Sequence, residues 1–291
     1  MLDAKSTLFL LLGAVAVAFI IFWAIELRRD ARSGGERVAP NLWELFVGFV
    51  TDFLDTLGIG SFATTTAFYR ARKTIDDRLL PGTLNVGHTI PTFAQAFIYI
   101  DKVGVEMRTL VAMIVAAVAG SLLGAPIVAR WPRRKVQIGM GLALLALCAV
   151  LIWRQIGLRE DGTKIGLEGG EFAIGVGANF VLGALMTIGV GLYGPCLVLV
   201  SLLGMNPTAG FPIMMGSCAF LMPIASVPFI RRGSYSPRAA LGLTLAGLPA
   251  VFIAAYIVQS LPLYWVKWLV ALVVIYTAST LLRAAAREKG N

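Results

Sequence analysis

Two stretches of this sequence combine glycines with side chains that could hold a small oxyanion. Residues 55–66 read DTLGIGSFATTT and residues 189–196 read GVGLYGPC, and each interrupts a long apolar run. A helix that restarts inside a membrane begins with unpaired N–H groups and the positive end of its dipole. Hydrocarbon cannot satisfy these groups, so protein, water or an anion must do so. The breaks therefore predict anion-binding helix starts.

Hydroxyl and amide groups near the breaks could donate hydrogen bonds to the oxygens of an anion. Because the middles of the spans hold no Lys or Arg, dipoles and neutral donors would hold the anion and could also release it. The predicted substrate-binding residues, with Thr65 as a further donor, are Gly58, Gly60, Ser61, Thr64, Thr83, Asn85, Gly191, Gly194, Pro195, Cys196 and Ser217.

Each of these signals also has a simpler interpretation. Glycines let neighbouring helices approach closely, and a helical Ser or Thr hydroxyl often bonds to a carbonyl of its own preceding turn. Pro195 suits the first position of a helix, where its missing N–H has no effect. Two glycine breaks in corresponding places favour a binding site, since paired breaks are typical of transporters.

Three ionisable residues inside the apolar runs, Asp52, Asp55 and His88, are candidates for proton coupling. Ionisable groups in membrane segments are functional candidates by default. The two carboxylates lie three residues apart on one helical face, and histidine titrates in the pH range that coupling needs. Pairing of the carboxylates with basic loops, and a structural role for the histidine, are the alternatives. Glu44 is expected at the membrane interface.

The composition is that of a polytopic membrane protein with helical spans. Of 291 residues, 58% are hydrophobic and 14% are charged, against about 25% charged in soluble proteins. Cationic residues between the apolar runs account for the net charge of +9, so this charge indicates membrane orientation and not nucleic-acid binding. Three cysteines without metal spacing and one histidine predict no disulfide framework, no metal site and no cofactor.

Several local patterns predict individual helices. Residues 7–25 predict a retained span and not a signal peptide, because the apolar run is longer than a signal h-region and ends in bulky residues. Gly120 and Gly124 have the GxxxG spacing of a helix-packing face. Asn206-Pro207-Thr208 predicts a turn that starts a helix.

An internal repeat organises the chain after its first helix. The alignment that places Gly60 on Gly194 also places Thr83 on Ser217. If each broken segment is a re-entrant hairpin, the basic loops at 69–80 and 231–238 face the cytoplasm, and the uncharged turns at 204–207 and 260–262 face outside. Three further spans in each repeat then make the repeats inverted.

We therefore predict an all-α polytopic membrane protein of two inverted repeats, each with a broken, re-entrant helix and three spans, and one extra N-terminal helix. The predicted segments are 1–41 for that helix and its basic loop, 42–153 for repeat 1, 154–170 for a connecting loop, and 171–291 for repeat 2. The hairpin tips at Gly60-Ser61 and Gly194-Pro195-Cys196 are expected to meet near the bilayer midplane.

The order of these motifs resembles the sulfite exporter TauE/SafE family of membrane anion permeases. The features that carry the resemblance, over about residues 42–285 and without the first helix, are Gly48-Phe49 followed by Gly58-Ile59-Gly60, the counterpart at 189–194, Gly82-Thr83-Leu84 and Gly216-Ser217-Cys218. The glycine runs are thinner than in the family, and Asp52 and Asp55 stand near positions where the family usually has small residues. These departures bear on the particular substrate and not on the class.

The resemblance implies a permease for sulfite, an organosulfonate or a related small anion in the cytoplasmic membrane, and not an enzyme. The implied partners are the anion and the lipid bilayer, and a homodimer is one assembly open to the chain. Two alternatives remain at this stage. One is a membrane-embedded lipid-phosphate hydrolase that uses Asp52, Asp55 and His88, although no Arg accompanies the glycine breaks to clamp a phosphate. The other is a passive anion channel.

Overall fold

The computed structural model describes residues 3–32, 38–124, 133–156, 162–186, 191–260 and 262–287, and these residues form α-helices joined by short turns. The break residue Gly189 and parts of the loops at 26–41, 130–135 and 153–170 lie outside the described residues. The helices are α1 (Ala4–Arg32), α2 (Leu42–Thr56), α3 (Ser61–Arg72), α4 (Leu80–Lys102), α5 (Met107–Ala119), α6 (Arg133–Ile156), α7 (Gly169–Met186), α8 (Tyr193–Leu202), α9 (Gly210–Arg231), α10 (Pro237–Ser260) and α11 (Leu263–Arg287). A π-helical turn, Gly120–Gly124, continues α5, and a 3₁₀ turn, Pro207–Ala209, precedes α9.

Side-chain caps fix the starts of two elements. Asn41 and Glu44 form a reciprocal capping box at α2, with N–H to side-chain oxygen distances of 2.7 and 3.0 Å. Glu44 is buried and also accepts a hydrogen bond from Arg238 at 2.7 Å, so it is a paired structural carboxylate within the protein. The side chain of Asn206 caps the 3₁₀ turn at Thr208, which confirms the predicted helix start.

The first broken segment folds into a hairpin whose two ends lie side by side. Phe68 near the end of α3 packs edge-on against Trp43 at the start of α2, with ring centroids 6.0 Å apart. The Arg72 guanidinium lies 3.9 Å from the Trp43 ring. At 15 and 12 residues, the two helices are about 22 and 18 Å long, so neither crosses a hydrocarbon core of about 30 Å. This is the geometry of a re-entrant segment.

The second broken segment also returns to its starting point. Asn206, which follows α8, donates its N–H to the Lys164 carbonyl before α7 at 2.9 Å. α8 has only 10 residues, whereas α7 has 18 and is apolar enough to count as a candidate span. The second hairpin is therefore less symmetric than the first.

Contacts divide the chain into two compact units that do not coincide with the predicted repeats. The first unit comprises Met1–Ile98 and Cys218–Ile257, and the second comprises Tyr99–Ser217 and Val258–Asn291. Each unit therefore draws helices from both halves of the sequence. The boundaries of the sequence repeats, and their inversion, stay predictions.

Glycines bring helix backbones into direct contact within each unit. In the first unit, a Cβ on Gly48 of α2 would lie 2.6 Å from the Gly242 carbonyl oxygen of α10. In the second, a Cβ on Gly120 would overlap the Phe180 carbonyl of α7, and Gly124 packs on Ala184. The predicted GxxxG face is confirmed, although its glycines lie in the π-helical turn.

Five helical stretches among the described residues are long and apolar enough to cross a membrane. They are Ala4–Arg29, Met107–Gly124, Gly169–Met186, Pro207–Arg231 and Pro237–Ile257. The first contains the predicted span at 7–25. It packs within the first unit, where Trp23 Nε1 donates to the Tyr235 hydroxyl at 3.2 Å. The all-α polytopic class is confirmed.

Candidate functional site

The break between α2 and α3 depends on two glycines in left-handed backbone conformations. Gly58 has φ +93° and Gly60 has φ +86°, and a Cβ on Gly60 would meet no atom within 4 Å. Conformation, and not space, therefore requires glycine at residue 60. The turn ends α2 and restarts the chain at Ser61, as the sequence predicts.

Replacement of Gly60 by alanine will destabilise the protein by about 1–3 kcal/mol, because an L side chain is strained at this φ. Gly104 is the matched control: it also has open space around it, but its φ is not positive. Gly104→Ala should therefore be tolerated. Unfolding of the two variants in mixed detergent micelles measures the difference. Equal stability of the two variants would contradict the assigned strain.

The start of α3 is occupied by a carboxylate from the end of α2. The hydroxyl and the backbone N–H of Ser61 lie beside the Asp55 carboxylate and interact with its charge. Gln95 of α4 donates to Asp55 Oδ2 at 3.0 Å and to Thr56 Oγ1 at 3.0 Å. All four side chains are buried. The donors predicted to bind an anion at this helix start therefore hold an anionic group of the protein itself.

A buried chain of three side chains joins α2, α4 and α3 beside this cap. Asp52 Oδ1 lies 2.8 Å from His88 Nδ1, and His88 Nε2 lies 3.0 Å from Thr65 Oγ1. The carboxylate, the imidazole and the hydroxyl are each 0% exposed. An ionised carboxylate can only accept, so the ring carries its hydrogen on Nδ1 when Asp52 is charged. The pair can then gain or lose one proton at Nε2.

The second oxygen of Asp52 faces α10. Asp52 Oδ2 is buried and has no hydrogen-bond partner in the part of the chain that the structure describes. A Cβ on Gly247 would overlap this oxygen, so glycine is the residue that lets α10 approach the carboxylate. Buried oxygens without partners destabilise a fold, and this one belongs to a predicted coupling residue.

The structure describes most of the region that matches a known protein family. A family model for the sulfite exporter TauE/SafE matches residues 1–166, which is more than half of the 291-residue chain. The chain belongs to the sulfite exporter TauE/SafE family. The match includes α1, contrary to the expectation that the first helix lies outside the resemblance. Comparisons with curated proteins and with solved structures gave no match.

Membership makes this TauE/SafE chain a multi-pass membrane permease. The matched residues contain the first break, Asp52, Asp55 and His88. The second break, at 189–196, lies beyond the match, so its role stands on its own geometry.

The other predicted binding residues of the first unit use their polar atoms within the protein. Thr64 donates to the carbonyls of Gly60 and Ser61, as in the simpler interpretation. Thr83 donates to the Leu79 carbonyl at 2.8 Å and accepts the Ser236 N–H at 2.9 Å. The amide of Asn85 donates to the Pro81 carbonyl. These bonds place Thr83 at the junction of α4 with the turn before α10.

At the second break of the TauE/SafE chain, close packing is the clearest role of the glycines. A Cβ on Gly194 would lie 2.8 Å from Thr277 Oγ1 of α11. Pro195 is the third residue of α8 and not its first, yet it remains in the first turn, where the missing N–H has no effect. Cys196 is buried and its backbone N–H bonds to the Leu192 carbonyl. Ser217 accepts a bond from Asn179 at 3.3 Å.

Sequence reasoning missed Gln95 and Thr56, which complete the cap on Asp55. A signal for Gln95 was present: His88, Thr92 and Gln95 follow the i, i+4, i+7 spacing of one helix face inside an apolar run. Among the described residues, no group of three or more His, Cys, Asp or Glu side chains could hold a metal ion. The thiols of Cys148, Cys196 and Cys218 are all buried, and none forms a disulfide.

Proposed function

We propose that this TauE/SafE protein is a proton-coupled secondary transporter of a small sulfur-containing oxyanion, such as sulfite or an organosulfonate, in the cytoplasmic membrane. One observation carries the proposal: the buried pair of Asp52 and His88, 2.8 Å apart and 0% exposed. A fold that only needed stability would do as well with apolar residues at these positions. Ionisable groups inside membrane proteins mark ion and proton pathways.

The anion class follows from the start of α3. The N–H and hydroxyl of Ser61 lie beside Asp55, and a carboxylate resembles a sulfonate in its negative charge and in its acceptor oxygens. A substrate oxyanion could therefore take the place of the Asp55 carboxylate at the helix start. Once displaced, the buried carboxylate repels the anion unless it takes up a proton. Proton and anion would then move together.

Uptake into proteoliposomes tests the proposal directly. Purified protein should accumulate radiolabelled sulfite or taurine above the external concentration when a pH gradient is imposed, and a protonophore should abolish the accumulation. Flux that follows the anion gradient alone, at every pH gradient, would indicate a passive channel. Protein-free liposomes give the background.

Replacement of Asp55 by asparagine will tighten anion binding above neutral pH and flatten its pH dependence. The amide keeps an acceptor for Ser61 but no longer carries the competing charge. Loss of one charge-assisted hydrogen bond to the carboxylate, about 1.5–3 kcal/mol, corresponds to roughly ten- to a hundredfold in affinity. Calorimetric titration of sulfite across a pH series measures both effects. Asp76→Asn, at an exposed carboxylate in the turn before α4, is the matched control. An unchanged profile in Asp55→Asn would make the carboxylate structural.

A further inference from the structure

We infer that Thr65 is a positioning residue that passes the protonation state of His88 to the first turn of α3. The inference rests on the proposed proton coupling and adds a named step to it. Among the described residues, Thr65 is the α3 residue whose side chain is hydrogen-bonded to the coupling histidine, with Oγ1 3.0 Å from Nε2. It stands one helical turn after Ser61, whose hydroxyl and N–H lie beside Asp55.

A hydroxyl at this position can serve both protonation states of the ring because it both donates and accepts. With the ring neutral, Nδ1–H donates to Asp52 Oδ1 and Nε2 accepts the Thr65 O–H. When a proton binds at Nε2, the new N–H donates to Thr65 Oγ1 instead. The Thr65 hydroxyl hydrogen must then rotate toward another acceptor. The only covalent bond that forms in this step is the N–H bond at Nε2.

The acceptor within reach of a helical threonine is the carbonyl four residues earlier, which is that of Ser61. This carbonyl already accepts the Thr64 hydroxyl at 2.8 Å and, as part of the helix, the backbone N–H of Thr65, so the Thr65 hydroxyl must compete with these donors. Protonation of His88 therefore redistributes hydrogen bonds in the turn that holds Asp55. A change at the imidazole reaches the proposed anion position through one rotating hydroxyl.

The charged groups that face His88 come from α2 alone among the described elements packed against the ring. Asp52 contacts Nδ1, and Asp55 acts on the ring through its charge. α3 contributes Thr65 and the ring of Phe62, with centroids 6.2 Å apart. α10 reaches Asp52 through Gly247, which has no side chain to titrate. The hydroxyl is thus the polar path from the ring to α3.

Thr64 provides a matched control on the same helix. It is buried like Thr65, and valine would replace either threonine with nearly the same volume. Its hydroxyl, however, bonds in the described structure to the carbonyls of Gly60 and Ser61, at the start of its own helix. Thr65→Val removes the link to His88, Thr64→Val removes a local back-bond, and Thr65→Ser keeps the hydroxyl at the site.

The experiment combines transport with a spectroscopic signal from the chain's single histidine. Nuclear magnetic resonance of the full-length protein in nanodiscs gives the His88 nitrogen signals without overlap when histidine is isotope-labelled. A second sample with labelled serine gives the Ser61 amide signal, which reports on the first turn of α3. In the wild type and in Thr65→Ser, both signals should change with one common pH midpoint. In Thr65→Val, the His88 signals should still change with pH, but the Ser61 amide signal should no longer follow them. The ratio of sulfite uptake rates between the two ends of the pH range should fall about tenfold.

Two results would overturn the inference while leaving the proposed transport intact. One is a Ser61 amide in the wild type that does not follow the His88 midpoint, a measurement that needs no variant to fold. The other is a Thr65→Val uptake profile equal to that of Thr64→Val. If wild-type uptake itself shows no dependence on pH, proton coupling fails, and that failure is distinguishable from both.

Discussion

Replacement of His88 by phenylalanine will lower the free energy of unfolding by about 3–5 kcal/mol, because Asp52 would be left as a buried charge without its partner. The Oδ2 atom of Asp52 already has no partner among the described residues, so loss of the bond to Oδ1 leaves the carboxylate unsupported. Phenylalanine fills a volume close to that of the imidazole, which limits the contribution of packing to the effect. Unfolding in micelles of rising SDS fraction, followed by tryptophan fluorescence, gives the free energy.

The double variant Asp52→Leu/His88→Phe is the control for this prediction. It removes both charges together, and well-packed apolar replacements of buried pairs are often neutral or stabilising. Stability should therefore return to near the wild-type value, whereas pH-driven uptake should be lost because both proposed coupling groups are gone. A double variant no more stable than His88→Phe would show that shape, and not the unpaired charge, dominates the loss.

Replacement of Gly183 by alanine will destabilise the protein by about 3 kcal/mol, at the upper end of the usual overpacking range. A Cβ at this position of α7 would overlap the Ala117 carbonyl oxygen and lie 2.7 Å from its Cα, so the obstruction is the backbone of α5. A backbone cannot rotate away as a flexible side chain can. The two helices would have to move apart over several turns.

Gly177 is the matched control on the same helix, since a Cβ there would meet no atom within 4 Å. Gly177→Ala should leave stability unchanged or raise it slightly, because alanine has a higher helix propensity than glycine. Thermal denaturation of both variants in detergent measures the contrast. Comparable losses of thermal stability in the two variants would mean that helix propensity, and not contact with α5, determines the effect of substitutions in α7.

The sequence predicted the class of fold well because hydropathy and glycine breaks are local properties. The apolar runs located the spans, and the DTLGIGSF stretch located the turn at Gly58 and Gly60, where positive φ leaves few alternatives to glycine. The grouping of helices into units was not predictable in the same way. It depends on which helix faces approach, and Gly48 against Gly242 is a contact between distant parts of the chain.

The candidate site was predictable as a set of residues but not as a set of partners. Asp52, Asp55 and His88 stood out because charge is rare inside apolar runs. Their partners Gln95, Thr65 and Ser61 are neutral, and neutral polar residues in helices usually bond locally, as Thr64 does. Only the packing of α2, α3 and α4 distinguishes Thr65 from its neighbour.

The three native thiols are buried, so the natural chain should give little signal of its own when its surface is labelled with a thiol reagent. Cys148, Cys196 and Cys218 are at most 2% exposed, and burial keeps a thiol inert towards polar reagents. A cysteine introduced into the turn at 69–80 or at 204–207 would then carry the only signal from a membrane-impermeant maleimide. The orientation of each loop can thus be mapped in cells with the native cysteines, and therefore the native packing, left in place.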